Sequence, residues 1–216
     1  MIYKGKVLDF ETILNNTLKE HNIEISESLS FKSLYQLMTI VSLSAFVTND
    51  YLKVEPFLVA TYEKIKNHIA KDKQLIYHLQ VVYMIANTLF RNKKFKESLE
   101  HLDVMNDLMH QQRKKHYSSF KLKYYLLAAL NHNYSNKQDK AIELLESVKQ
   151  TKHADIESLL DINLGLVMFY IQKAEFKEAK TIFSKFYHTD KYYIEKAGKE
   201  WIIKKNIAEI IIYIEH

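Results

Sequence analysis

Three glycines, one proline and no cysteine in 216 residues constrain this chain more than any motif it carries. Sheet proteins place Gly and Pro in their turns, and dinucleotide-binding domains need a glycine-rich loop. Usage this far below the ordinary level of roughly 7% Gly and 5% Pro excludes a β-sandwich, a barrel and a Rossmann-type domain. With 47% hydrophobic and 26% charged residues the chain has enough apolar material for a core, so intrinsic disorder is excluded as well. An all-α chain of one or two domains remains. The lack of cysteine removes a disulfide framework, a thiolate zinc site and a cysteine nucleophile together.

Apolar residues recur at three- and four-residue spacing almost throughout, the pattern of amphipathic helices. The spacing predicts helices near 8–21, 31–47, 53–70, 74–91, 95–110, 115–133, 137–149, 155–172, 175–187 and 191–214. Short polar breaks separate them, among them Asn92-Lys93-Lys94, Ser135-Asn136-Lys137 and Lys173-Ala174-Glu175. Pro56 is expected in a first turn, where its missing N–H does least harm. Connections this short make successive helices antiparallel hairpins.

The hairpins repeat. Turns at Asn49, Lys93, Asn136 and Ala174 superpose, and in three of them an aromatic residue (Tyr51, Phe95, Phe176) precedes a small or β-branched one (Val54, Ser98, Ala179) by three positions. A bulky apolar residue follows four further on in each repeat: Leu58, Leu102, Leu145 and Phe183. The aromatic closes the turn, the small residue lets the helices approach, and the bulky one fills the gap towards the next hairpin. Asp139-Lys140-Ala141-Ile142-Glu143-Leu144-Leu145 and Phe176-Lys177-Glu178-Ala179-Lys180-Thr181-Ile182-Phe183 resemble the second helix of the tetratricopeptide repeat, a helix–turn–helix unit of 34 residues. The resemblance covers residues 31 to 190 and departs from the family in its longer steps. Ser42, Ala86, Ala129 and Val167 replace the family glycine of the first helix. Such long repeats are similar to those of bacterial peptide-pheromone receptors, although no DNA-binding helix-turn-helix pattern precedes the hairpins.

The resemblance implies an α-solenoid: a right-handed superhelix of antiparallel helical hairpins. Residues 1–30 then form an N-terminal helix and linker, 31–190 four hairpins, and 191–216 either the first helix of a further repeat or a C-terminal capping helix. The run Ile210-Ile211-Ile212-Tyr213-Ile214 is apolar on every side, whereas a terminal helix of a repeat array needs a polar outer face. Segment 201–214 is therefore expected to be covered by continuing chain, by a second copy in a homodimer, or by folding back.

Catalytic patterns are missing: there is no GxSxG, HExxH or GxxxxGK[ST] run, and no Glu-x-x-His pair for a di-iron bundle. The reading is a non-enzyme without cofactor or metal; His110 and His116, six apart, do not share a helix face. Candidate ligand contacts are polar residues on helices that ought to be buried. Gln80, Tyr83, Asn87 and Arg91 share one face of the helix over 74–91, and the next first helices add Lys123, Asn131 and Asn163. In the tetratricopeptide family first helices line the concave surface and a mid-helix Asn often fixes an extended peptide; the resemblance implies such positions for Asn87 and Lys123. The alternative is that these stripes are wet helix faces.

The formal charge of +5 is concentrated: nine basic residues between Arg91 and Lys123 face four acidic ones. Arg113, Lys114, Lys115 and Lys121 make up a candidate basic patch, with tyrosines interleaved. Only two of the 31 basic residues are arginine, and such lysine usage also suits an AT-rich genome and a solvated face. Three functions follow: a protein- or peptide-binding scaffold, RNA or single-stranded nucleic-acid binding through 91–123, and a regulatory receptor for a short signalling peptide. The first fifteen residues carry no apolar signal-peptide core, and the longest apolar stretch, Leu164 to Ile171, has eight residues against the ~18 of a membrane span. A cytoplasmic location without membrane contact is expected.

Overall fold

A computed structural model of the chain describes residues 30–48, 50–66, 74–151 and 155–215, together with helical backbone at Asn16, Lys19 and Glu20. The helix expected over 8–21 falls almost wholly outside these residues. Among the described residues every regular element is helical: α1 (Phe31–Thr48), α2 (Tyr51–Ile65), α3 (Leu75–Arg91), α4 (Phe95–Met109), a 3₁₀ turn (Gln112–Lys114), α5 (Tyr117–Tyr134), α6 (Gln138–Glu146), α7 (Ile156–Gln172), α8 (Phe176–Phe183), α9 (Asp190–Ala197) and α10 (Lys199–Ile214).

The turns after α3, α5 and α7 share one geometry. Lys93, Asn136 and Ala174 each adopt a left-handed conformation, with φ of 61°, 59° and 58°. The next N–H reaches back to the carbonyl five residues earlier: Lys94 to Leu89, Lys137 to His132 and Glu175 to Tyr170, each at 2.9 Å. A second bond joins Lys93 to Phe90, Asn136 to Asn133 and Ala174 to Ile171. This paired bonding satisfies carbonyls that a helix end would otherwise leave unpaired, and it normally recruits glycine. Here no glycine is used, so the turns are invisible to a search for Gly at helix ends. The following helix starts two residues later each time, at Phe95, Gln138 and Phe176.

The chain divides into two compact units, residues 1–94 and 95–216. In the first, α1, α2 and α3 pack against one another pairwise. Leu34, Met38 and Val41 of α1, Leu58 and Ile65 of α2 and Leu79, Val82 and Ile85 of α3 are all fully enclosed. His78 stacks on Phe31 with ring centroids 4.1 Å apart and bonds the Tyr62 hydroxyl at 2.9 Å. Glu55, only 7% exposed, is held by two neighbours of the α3 turn: Asn92 Nδ2 donates to it at 2.6 Å and Lys94 Nζ pairs with it at 2.6 Å. A buried carboxylate is tolerable only with such partners. Because α2 begins at Tyr51 rather than 53, Pro56 lies inside the helix, not in its first turn. Leu52, whose carbonyl Pro56 leaves without its N–H partner, and Pro56 itself are both exposed.

In the second unit α5 packs on α4 and α6, α7 on α5, α6 and α8, and α10 on α7, α8 and α9. The residues that the repeat assigns to close approach are enclosed: Ser98, Ala141 and Ala179 are at 0% exposure. Gly165 completes this packing, since a Cβ there would stand 3.1 Å from Leu145 Cδ1. Asn131 bridges layers by donating to Ser98 Oγ at 2.9 Å and to the Leu127 carbonyl at 2.8 Å. The final segment differs from the single helix expected over 191–214. Gly198, at φ 86° and ψ 171°, breaks it into α9 and α10, a backbone region that side chains other than hydrogen exclude. α8 also stops at Phe183, well short of 187, where the chain turns so that Phe186, Tyr193 and Trp201 gather ring against ring at 5.1–6.1 Å.

Candidate binding surfaces

The polar stripe of α3 forms as the periodicity requires. Val82, Ile85, Ala86 and Leu89 turn into the core while Gln80, Tyr83 and Asn87 stay half-buried and Arg91 exposed on the opposite side. Gln80 Oε1 is buried and, among the described residues, has no hydrogen-bond partner. Arg91 lies over the Tyr51 ring with 5.7 Å between guanidinium carbon and centroid. Its base is fixed because the adjacent Asn92 also donates to the Tyr51 carbonyl at 3.2 Å. The stripe therefore sets the half-buried Asn87 amide and a held cation, Arg91, along one helix face beside the buried Gln80. That set can pair with backbone amides of an extended segment and with a carboxylate, by charge-assisted bonds at the Arg91 end.

The three residues expected on the first helices of the second unit have different fates. Lys123 is exposed. Asn131 is at 0% exposure and serves the α4–α5 contact described above, so its side chain presents nothing to an open groove. Asn163 turns back on its own helix, donating to the Leu159 carbonyl at 2.7 Å. A residue not singled out by the sequence reading, Asp161, lies half-buried in the same helix as Asn163. Burial in α7, with the neighbouring Glu157 and Asp155 adding repulsion and Lys204 of α10 opposing it, pushes its carboxyl up to about 6. The signal was present in the sequence: an acid in the middle of Leu159-Leu160-Asp161-Ile162-Asn163-Leu164. Asp155 lies lower than usual because, although burial raises it, its carboxylate accepts the Ser158 N–H at the start of α7 and Lys123 stands near.

Of the basic residues, Arg113, Lys114 and Lys115 are exposed and Lys121 is half-buried. Arg113 and Lys114 sit in a turn where Gln112, Arg113 and Lys114 all have positive φ, 48°, 55° and 62°, and Lys115 closes it. The Lys114 and Lys121 ammonium groups lie over the rings of Tyr117 and Tyr125 at 5.8 and 6.0 Å. Lys121 also lines a polar cleft of about 370 Å³ with Glu146, Lys149 and Thr151, where Lys149 and Glu146 already neutralise each other. Tyr125 packs on the core, while Tyr134 is 57% exposed and stacks on Phe95 at 6.0 Å. His110 donates to the Asn106 carbonyl at 2.8 Å and meets Tyr117 edge-on. His132, 8% exposed, is held below the ordinary imidazole range by burial and by Lys140 and Lys137. Among the described residues no three His, Asp or Glu side chains converge to hold a metal ion, and no helix is long and apolar enough to cross a membrane. No known family model matches the chain, and neither a characterised protein nor a solved structure does.

Proposed function

We propose that the protein is a non-catalytic scaffold of the tetratricopeptide-like class, a solenoid of helical hairpins that holds a peptide or protein segment on the open faces of its first helices. The observation that carries this reading is the α3 stripe, where Gln80 Oε1, a buried acceptor without a partner among the described residues, stands in line with Asn87 and Arg91. A buried carbonyl that lacks a donor costs roughly 1–3 kcal/mol, and a segment that displaces the side chains covering Gln80 as it docks would bring a backbone N–H to that acceptor. The common geometry of the turns at Lys93, Asn136 and Ala174 supports a repeat of one hairpin design. The basic residues favour nucleic acid less, because the Lys114 and Lys121 ammonium groups are engaged by the rings of Tyr117 and Tyr125, and Lys149 is paired with an acid.

The test is a random-peptide display selection on the immobilised full chain, followed by titration of the best binder. Replacing Asn87 or Gln80 with Ala should weaken binding about tenfold each, the equivalent of one hydrogen bond at about 1.4 kcal/mol. Affinity should change little between low and high salt. A chain that selects no peptide but binds a single-stranded oligonucleotide, with affinity falling steeply with salt, would reverse the assignment.

A further inference from the structure

Helix α10 has two apolar faces, and only one is used inside the unit. Trp201, Ile202, Ala208 and Ile212 turn inward, with Lys205 buried among them and satisfied by Asp190, Asn206 and Glu209 at 3.0–3.3 Å. On the opposite face Ile203, Ile207, Ile210 and Ile214 are 57%, 49%, 57% and 74% exposed. Their spacing of four, three and four is the seam of a two-stranded coiled coil, in which each apolar knob enters a hole on a facing helix. Four solvent-facing isoleucines in one stripe are well beyond the scattered apolar residues of an ordinary surface.

We propose that this stripe pairs with the same stripe of a second copy of the chain, the two α10 helices running antiparallel about a two-fold axis near residues 208–209. In that register Ile203 faces the second copy's Ile214, and Ile207 its Ile210, so all four isoleucines of each copy are covered. The flanking residues decide the orientation. Lys204 and Ile211 border one side of the seam; Asn206 and Tyr213, which is 73% exposed, border the other. The antiparallel arrangement sets Lys204 along Ile211 and Asn206 beside Tyr213, each twice by symmetry, with no like charges opposed. The second pair is an amide against a phenol, able to hydrogen-bond. A parallel arrangement instead brings Glu200 against Glu200 and Lys199 against Lys204, both repulsive. Antiparallel pairing also places the positive start of each helix near Glu215 at the end of the other. The surface is thus self-complementary in one orientation and self-repelling in the other.

The absence of cysteine makes a site-specific test clean. Sedimentation of the full chain from about 1 to about 100 µM should show the mass rising from one chain to two, the range expected of a small apolar interface. Ile207→Glu should abolish that rise while helicity and melting temperature stay those of the parent, because the inward face is untouched. Under mild oxidation a mixture of Ile203→Cys and Ile214→Cys chains should give the mixed disulfide, and Ile203→Cys alone should give none. A chain that stays single to about 100 µM overturns the proposal, as does Ile203→Cys cross-linking efficiently to itself. If Ile207→Glu fails to fold, the mixed-disulfide pattern decides alone.

Discussion

Ala174 carries a conformation that its side chain resists. At φ 58° a residue with a Cβ costs roughly 1–2 kcal/mol relative to the right-handed basin, whereas glycine is indifferent. Ala174→Gly should stabilise the protein by about 0.5–1 kcal/mol after the extra unfolded-state freedom of glycine is counted, a rise of about 1–4 °C in melting temperature. Asn136→Gly should gain less, because asparagine tolerates this region. Equal or lower stability of the Ala174 variant in a denaturant titration would show that the turn is not left-handed there. Asp161 makes the opposite kind of prediction. With its carboxyl raised from 3.8 to about 6, the folded state binds a proton more tightly than the unfolded one. That contribution is fully present below about pH 4 and is lost as pH rises through about 6. At pH 7.5 the buried carboxylate then costs about 1–2 kcal/mol after allowance for partial exposure. Asp161→Asn should therefore melt higher than the parent at pH 7.5 and show no such advantage at pH 4.5; a pH-independent difference would remove Asp161 as the cause. At this scale the sequence revealed residue type better than residue role. Asn87 and Asn131 look alike in the sequence, yet one lies on the open α3 stripe and the other is sealed against Ser98, a distinction set by how closely α4 and α5 pack.

At the scale of elements, the 3.6-residue apolar period placed α1, α3, α4, α5 and α7 within about two residues of their ends. It also picked out the enclosed Met38, Val41, Val82 and Ile85. The misjudged ends have particular causes. Phe186, in the turn after α8, joins Tyr193 of α9 and Trp201 of α10 in an aromatic cluster, and that turn has no local punctuation of its own. The split between α9 and α10 does: Gly198 is one of only three glycines, and its position between two helical runs was a usable signal. Nothing lies within 4 Å of a Cβ added at Gly198, so Gly198→Ala isolates the backbone term. It should destabilise the protein by about 1–3 kcal/mol with no packing change. A neutral effect in thermal denaturation would mean that α9 and α10 are joined as one helix, as the periodicity alone suggests.

For the whole molecule, the helical class followed from composition, and hairpin repetition from the superposed turns. The division at residues 94 and 95 did not, because Asn92-Lys93-Lys94 has the same turn geometry as the others and no linker composition. The proposed binding surface was legible only as a stripe of residue types, since whether a polar side chain is open or sealed depends on neighbours distant in sequence. The central claim is that ligand docks on the α3 stripe. Side-chain amide NMR of the full chain with a display-selected peptide tests it most directly. The Gln80 and Asn87 amide resonances should shift on titration and saturate together with the backbone signals of Tyr83 and Arg91. Shifts confined to residues 112–121, with Gln80 and Asn87 unmoved at saturation, would contradict it.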